Sequence, residues 1–328
     1  MDSFLFAVGA IAPIILMTAI GYFLKKAGFI TEILAKALNK LVFRVFLPVM
    51  LFLNVYKIEK VGALDLGYIG YVLLVEIFVF FIAIPLAMLV SGKGERRGAL
   101  LQASFRSNYA LIGIPLAGSL FGEEGLIVAT LLSAAVIPLY NVLAVISLSV
   151  FSEDGKKPSI KKIVLDILKN PLIISIALGV VALFCRFFLE RMEISFRLSD
   201  ITPLFTVLGY LSNLATPLSL LVLGAQFTFS AVSFLKREII FGTLMRTVAV
   251  PLLGLGVAYL FFGDRFQGAH FAAFVAVFAT PVAVSSVPMA QEMKGDVTLA
   301  GQLVVWTTIA SAFSVFLSSM VLRALGIF

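Results

Sequence analysis

The chain has 328 residues, of which 61% are hydrophobic and 13% are charged, and its mean hydropathy is +1.10. A soluble domain carries about 25% charged residues, so this composition excludes a water-soluble globular protein and predicts a polytopic membrane protein. The formal net charge of +7 is spread over short loops, and we interpret it as a signal of membrane orientation rather than of nucleic-acid binding.

Apolar runs of about twenty residues, the length that crosses a bilayer, recur along the whole chain. We predict an all-α fold with ten transmembrane helices. The first run follows Met1-Asp2-Ser3, which is not the basic start of a signal peptide, so we expect it to be the first helix. The predicted spans are 4–24, 37–57, 67–90, 99–121, 125–151, 171–190, 200–226, 238–262, 270–292 and 297–323.

The positions of Lys and Arg predict the orientation of these spans. Of the 25 basic residues, 15 lie in odd-numbered loops, 7 lie in even-numbered loops or near the termini, and 3 lie inside spans. Basic loops stay in the cytoplasm, so we expect both termini outside the cytoplasmic membrane. The longest loop, 152–170, is then a cytoplasmic linker between residues 1–151 and 171–328.

Each half has five predicted helices. Because five is an odd number, the second half must enter the membrane from the opposite side, and homologous halves would form an inverted repeat. Prolines support a duplication through their common order in the two halves. The matched prolines are Pro48 with Pro217, Pro85 with Pro251, and Pro115 with Pro288.

Two spans carry helix-weakening residues near the middle of the bilayer. They are Asn-Tyr-Ala-Leu-Ile-Gly-Ile-Pro at 108–115 and Thr-Pro-Val-Ala-Val-Ser-Ser-Val-Pro at 280–288. Hydrocarbon tolerates irregular backbone only where protein or a water-filled cavity satisfies the freed groups. The less specific alternative is a pair of proline kinks that neighbouring helices repair.

Paired broken helices are the best sequence sign of a transporter's substrate site. Two half-helix N-termini directed at the midplane would bind a small anion, most simply a carboxylate. We therefore predict substrate binding at Asn108, Tyr109, Gly113, Pro115, Thr280, Pro281, Ser285 and Ser286.

Four charged residues lie more than six residues from either end of a predicted span: Arg44, Arg106, Arg246 and Glu76. The arginines either snorkel to the headgroups or form a basic vestibule that attracts an anionic substrate, with Arg106 the best candidate. Glu76 lies near the midplane, where a carboxylate must be protonated or paired. It is a candidate for proton coupling, and the alternative is a structural pair with Arg246 or another buried donor.

The sequence lacks the residues and motifs that metal sites, disulfides and several classes of enzyme require. One histidine and one cysteine, Cys185, argue against a zinc site and exclude an intrachain disulfide. We find no HExxH, Gly-x-Ser-x-Gly or Walker A pattern. We therefore expect neither an enzyme nor a bound metal or cofactor.

The stretch Asn108-Tyr-Ala-Leu-Ile-Gly-Ile-Pro-Leu resembles the Asn-x-x-x-x-Gly-Ile-Pro-Leu motif of the auxin efflux carrier family, the plant PIN carriers and their bacterial relatives. The Phe-Leu-Pro48 segment and the stretch from Pro281 to Glu292 are also similar to that family. The resemblance covers the whole chain. The long cytoplasmic loop and the Asp-x-x-x-Lys pair of the plant carriers are absent, which argues against auxin itself.

The resemblance implies crossing helices 4 and 9, an elevator motion of a transport domain against a scaffold, and a homodimer. It also implies small carboxylate substrates, such as malate or malonate. We thus expect a secondary transporter of an organic anion, coupled to protons or sodium. The alternatives are a sodium-coupled symporter with bile-acid-transporter-like architecture and a membrane sensor that binds a ligand without moving it.

Overall fold

The computed structural model describes residues 2–58, 66–151, 160–266 and 268–328. Within these ranges the chain is helical and contains no named strand, so the prediction of an all-α protein is confirmed. The helices are α1 (Asp2–Lys26), α2 (Glu32–Leu41), α3 (Leu47–Tyr56), α4 (Leu66–Val90), α5 (Gly94–Phe105), α6 (Ile114–Val150), α7 (Ile160–Lys169), α8 (Pro171–Arg191), α9 (Thr202–Gln226), α10 (Ala231–Leu244), α11 (Val250–Phe262), α12 (Gly268–Phe278), α13 (Ser286–Glu292) and α14 (Val297–Ala324).

Several of these helices join into membrane-length segments, which makes the chain a multi-pass membrane protein. In the described residues, seven segments are long and apolar enough to cross a bilayer. The first predicted span is covered by α1, and the ninth is divided between α12 and α13. The seven segments are Glu32–Tyr56, Leu66–Val90, Tyr109–Val150, Pro171–Arg191, Thr202–Gln226, Ala231–Phe262 and Val297–Ala324.

Three prolines explain local widening of these helices. Proline has no N–H, and its ring clashes with the carbonyl one turn earlier, so the preceding turn relaxes to a wider π geometry. The three pairs of π turn and proline are Val42–Phe46 with Pro48, Tyr109–Gly113 with Pro115, and Met245–Ala249 with Pro251.

The predicted fourth and fifth spans meet at a sharp kink inside α6. Phe121 and Gly122 have non-helical backbone angles, and Gly122 has a φ of +61°, a conformation that glycine adopts without steric cost. On the far side of the kink, a Cβ at Gly125 would lie 2.4 Å from the Ala117 carbonyl oxygen. The predicted boundary between residues 121 and 125 therefore falls on a tight kink rather than on a loop.

The packing divides most helices into two groups. In the first group, α1 packs on α9, and α3 packs on α8 and α9; in the second, α5 packs on α4, α6 and α14, and α12 packs on α6 and α11. Contact between α1 and α14 joins the two groups. Glycines bring α1 and α9 together, because Cβ atoms at Gly21 and Gly224 would lie within 2.0 Å of the opposite backbone. Close approach of this kind holds helices together in lipid, where no hydrophobic force does so.

The predicted linker 152–170 is partly helical. Residues 152–159 lie outside the described residues, and α7 occupies most of the remainder, up to Lys169. The short α7 leads directly into α8, which begins at Pro171 and is capped by the Asn170 side chain.

Candidate functional site

The two interrupted segments meet each other directly. Between α5 and α6 the helix stops, and Ser107 forms an isolated antiparallel bridge with Val282, which lies between α12 and α13. Asn108 donates its N–H to the Pro281 carbonyl oxygen at 2.7 Å, and Ala283 donates to the Arg106 carbonyl oxygen at 3.1 Å. We call residues 106–108 and 281–283 the crossing.

Arg246 satisfies the carbonyl groups that the two breaks leave open. Its guanidinium donates to the carbonyl oxygens of Phe105 at 3.0 Å, Thr280 at 2.9 Å and Val277. These carbonyls end α5 and α12, where the helical hydrogen bonds run out. Arg246 is 0% exposed, so it neither snorkels nor lines a vestibule.

A cavity of about 460 Å³ lies beside the crossing, which we call the crossing cavity. One wall is formed by residues 106–111 and 283–285 and by α6, and the opposite wall by α3 and α9. The cavity therefore lies between the two groups of packed helices. Four of the sequence-predicted residues line it: Arg106, Asn108, Tyr109 and Ser285.

Arg106 places a positive charge in this cavity. It is only 3% exposed, and its guanidinium donates to Asn141 Oδ1 and to the Met289 sulfur, both at 2.9 Å. No carboxylate among the described residues pairs with it. A buried charge without a counter-ion is costly, so this guanidinium favours an anion in the cavity.

Asn108 adds an unused donor among the residues that line the same cavity. Its side chain is 8% exposed, and Nδ2 has no hydrogen-bond partner in the described part of the chain. Its carbonyl oxygen accepts from the amides of Ile112 and Gly113, so the helix that continues into α6 starts here. Residues 109–111, which line the cavity, form the positive end of that helix.

The second half-helix, α13, does not provide the free N-terminal amides that the sequence analysis predicts. The helix α13 has only seven residues. The amides of Ser286 and Val287 are already bonded to the carbonyl oxygens of Ala283 and Val284. The expectation of two opposed helix N-termini is therefore wrong for α13, because a tight turn uses its first amides.

Glu76 lies behind the crossing cavity and reaches it through a hydrogen-bonded chain. Tyr140 donates its hydroxyl to Glu76 Oε1 at 2.7 Å and accepts from the Ser107 hydroxyl at 3.1 Å. Tyr140 and Ser107 line the cavity, whereas Glu76 is fully buried and does not. Its second oxygen, Oε2, has no partner within the described ranges, and the Arg246 guanidinium donates to backbone carbonyls rather than to this carboxyl.

The other residues predicted to bind substrate do not line the crossing cavity. A Cβ at Gly113 would lie 2.8 Å from the Ala276 carbonyl oxygen, so glycine allows α12 to approach the start of α6. Pro115 faces a neighbouring apolar cavity. Thr280 bonds back to Ala276, and Ser286 is buried with its hydroxyl unpaired among the described residues.

The sequence analysis did not identify eight of the twelve polar residues that line the cavity. Some of these residues lie on the predicted fifth and seventh spans, where isolated amides and hydroxyls inside apolar runs were a usable signal. The missed polar residues are Asn54, Ser107, Tyr140, Asn141, Ser212, Asn213, Thr216 and Ser219.

Comparison with known proteins agrees with this architecture. The family model described as "Membrane transport protein" matches residues 6–318. An uncharacterized transporter of Methanothermobacter thermautotrophicus is 25% identical over 333 residues, covering 95% of this chain and 97% of its own. An uncharacterized transporter of Methanocaldococcus jannaschii is 28% identical over 247 residues, covering 73% and 74%. The match over nearly the whole chain shows that this protein belongs to the membrane transport protein family, the family of the auxin efflux carriers.

Proposed function

We propose that this transporter is a secondary carrier of a small organic anion whose carboxylate binds at Arg106 and Asn108. The observation that carries the proposal is the buried Arg106 guanidinium, which lines the crossing cavity without a carboxylate partner in the described residues. A bound carboxylate would supply the missing counter-charge through charge-assisted hydrogen bonds. The unpaired Asn108 amide is positioned on the same wall to donate a further bond.

The size and lining of the cavity support a small substrate. Its volume of about 460 Å³ falls within the range of ligand pockets, about 300–1,000 Å³. Leu47, Met50 and Leu51 of α3 supply an apolar surface, while Asn213 and Thr216 of α9 supply polar groups opposite the crossing. A small carboxylate with a short carbon chain and a second polar group would make suitable contacts with both walls.

The position of the cavity supports alternating access by an elevator motion. The crossing and α6 form one wall, and α3 and α9 form the other. If the group that holds the crossing slides against α1, α3, α8 and α9, the substrate moves with its binding residues. We propose that this motion occurs within ten spans arranged as two inverted repeats, in a homodimer whose termini lie outside the cytoplasmic membrane.

We further propose that a proton drives transport through Glu76. The chain from Glu76 through Tyr140 to Ser107 connects a buried carboxyl to the wall that binds substrate. A neutral Glu76 would carry its proton on the oxygen that lacks a partner. Arg106 precedes Ser107 in the sequence and bonds Asn141, which follows Tyr140, so protonation of Glu76 and anion binding at Arg106 would act on neighbouring residues. Such communication between two sites is what coupling requires.

Substrate binding to the purified protein tests this function. A thermal-shift screen of small mono- and dicarboxylates identifies a ligand, and counterflow of that labelled ligand in liposomes shows whether it moves. Arg106→Gln removes the charge, and Arg44→Gln removes an exposed arginine as a matched control. We expect the Arg106 variant alone to lose anion binding. A screen in which only cations or neutral solutes bind would contradict the proposal, and binding without counterflow would favour a sensor.

A further inference from the structure

Three side-chain amides contact one another near the end of α13, and we call them the amide lock: Asn39 of α2, Gln226 of α9 and Gln291 of α13. Gln291 Oε1 accepts hydrogen bonds from Asn39 Nδ2 at 2.9 Å and from Gln226 Nε2 at 3.1 Å. Gln291 Nε2 donates to the Lys36 carbonyl oxygen at 3.1 Å. We propose that the amide lock closes one end of the crossing cavity and opens during transport. This inference rests on the alternating access proposed above.

The amide lock crosses the boundary between the two groups of packed helices. Gln291 belongs to the group that holds the crossing, because α13 follows the crossing in sequence and packs on α5 and α14. Asn39 and Gln226 belong to the other group, because α2 packs on α9. The lock therefore links elements that must separate if one group slides against the other.

The amide lock lies beyond one end of the crossing cavity. In each of the three segments, the lock residue is six to eight positions past the nearest residue that lines the cavity. Those nearest lining residues are Leu47, Ser219 and Ser285. At 1.5 Å per helical residue, this spacing is about 10 Å. Because the three amides contact one another, the segments converge on the same side of the cavity, and the lock lies across that end.

The closed lock also contains a group that favours opening. Asn39 is 0% exposed, and its Oδ1 has no hydrogen-bond partner in the described residues. A buried acceptor without a partner is costly, and separation of α13 from α2 would let water reach it. The bonds to Gln291 thus favour the closed arrangement, while the unpaired oxygen of Asn39 favours the open one. Two opposing contributions of this kind allow a contact to form and break during a transport cycle.

A neighbouring ion pair crosses the same boundary but contributes less. Arg44, between α2 and α3, pairs with Glu292 of α13 at 3.1 Å, and the Arg44 side chain is 60% exposed. Exposed ion pairs contribute little, because water and salt screen them. Arg44→Gln therefore breaks a contact at the same boundary without touching the amides, and it serves as the matched control.

The distance between the two groups at the lock end tests the inference. In a Cys185→Ser background, spin labels are attached to cysteines that replace the exposed residues Lys40 of α2 and Lys93, just before α5. Lys93 lies at the lock end, because the Glu95 carbonyl oxygen accepts from the Asp296 amide, shortly after α13. Double electron–electron resonance then measures the distance between positions 40 and 93 in the purified protein.

A second label pair reports general loss of structure. Lys93 and Lys236 of α10 lie within one group, because α10 packs on α5 and α14. The distance between these two positions should stay the same in every folded variant. Neither measurement needs a substrate, so a failure of the lock is distinguished from a failure of the proposed anion binding.

Gln291→Met keeps the length of the side chain but removes its three hydrogen bonds. Each neutral hydrogen bond shifts an equilibrium by a few-fold, so the ratio of open to closed protein should rise by roughly 10-fold or more. We expect a second, longer distance between positions 40 and 93. The Arg44→Gln control should keep the distance distribution of the unmodified protein.

Two outcomes would overturn the inference. One is an unchanged distance distribution between positions 40 and 93 in Gln291→Met, with or without a lower melting temperature, which would identify a purely structural contact. The other is an equal shift in Arg44→Gln, which would show that the amides have no special role. If Gln291→Met does not fold, Gln226→Met replaces it. This variant loses one bond to Gln291 and should shift the ratio in the same direction by a few-fold, and an unchanged ratio would again contradict the lock.

Discussion

Asn108 donates its backbone N–H to the carbonyl oxygen of Pro281 at 2.7 Å. This bond joins two helix breaks from opposite halves of the chain, so each break satisfies a backbone group of the other. Such pairing removes the penalty that hydrocarbon imposes on irregular backbone. It also leaves the Asn108 side chain free for a ligand, since Nδ2 has no partner in the described residues.

We predict that Asn108→Ala weakens substrate binding without unfolding the protein. The substitution removes one hydrogen bond to a charged group, which contributes about 1.5–3 kcal/mol, so affinity should fall roughly 10- to 100-fold. The backbone bond to Pro281 survives, and the melting temperature should change little. Calorimetric titration with the ligand found by screening measures the change. Unchanged affinity in a folded variant would move the site away from the crossing.

Ser285 and Ser286 provide a matched pair for the same question. Ser285 lines the crossing cavity, whereas Ser286 is buried outside it. We predict that Ser285→Ala weakens binding by up to about 10-fold, as expected for one neutral hydrogen bond. Ser286→Ala should leave affinity unchanged, as measured in the same titration. The reverse order would place the substrate on the other side of α13.

Arg246 should matter for stability rather than for substrate. Replacing it by Gln leaves carbonyl groups of Phe105, Val277 and Thr280 unsatisfied, at roughly 1–3 kcal/mol for each buried group. We therefore predict a loss of more than about 3 kcal/mol and a clearly lower melting temperature in detergent. Arg44→Gln, which changes an exposed arginine, is the control. Equal melting temperatures for the two variants would show that Arg246 does not hold the crossing.

The sequence predicts the breaks better than it predicts the contacts that hold them. Proline, glycine and asparagine act on their own helix, so local rules locate the interruptions at 108–115 and 280–288. Arg246 bonds the backbone of both breaks from a helix that is distant in sequence, and no local pattern reveals these contacts. The helix α7 was predictable, because Ile160, Val164 and Leu168 recur at helical spacing within the region interpreted as a linker.

Gly113 tests the close approach of the two broken helices. An added Cβ would lie 2.8 Å from the Ala276 carbonyl oxygen, and overpacking of this kind costs about 1–3 kcal/mol. We predict that Gly113→Ala lowers the melting temperature. Gly70→Ala is the matched control, because a Cβ there meets nothing within 4 Å and alanine favours the helix. A stabilised Gly113→Ala protein would contradict the observed packing.

The orientation predicted from basic residues is tested by labelling. In a Cys185→Ser background, single cysteines replace Lys161 on α7 and Leu325 after α14. An impermeant maleimide added to intact cells should label position 325 and not position 161, because α7 is expected in the cytoplasm. Labelling at 161 alone would reverse the topology, and labelling at both positions or at neither would contradict opposite sides for α7 and the C-terminus.

The final prediction concerns Glu76. Glu76→Gln keeps a neutral group that still accepts a hydrogen bond from Tyr140 but cannot exchange a proton. If Glu76 carries the coupling proton, net transport driven by a pH gradient should fail in liposomes. Exchange of substrate across the membrane should persist, because exchange does not require the empty carrier to return deprotonated.

A purely structural Glu76 gives a different result. Exchange and net transport would then fall together, with a lower melting temperature, because Gln would bury an amide NH₂ group where Oε2 has no partner in the described residues. Tyr140→Phe separates the two roles, since it removes the hydroxyl that links Glu76 to Ser107 while keeping the ring. We expect Tyr140→Phe to impair net transport more than exchange. Full pH-driven transport in Glu76→Gln would eliminate this carboxyl as the proton site, and a strict sodium requirement in the unmodified protein would favour cation coupling instead.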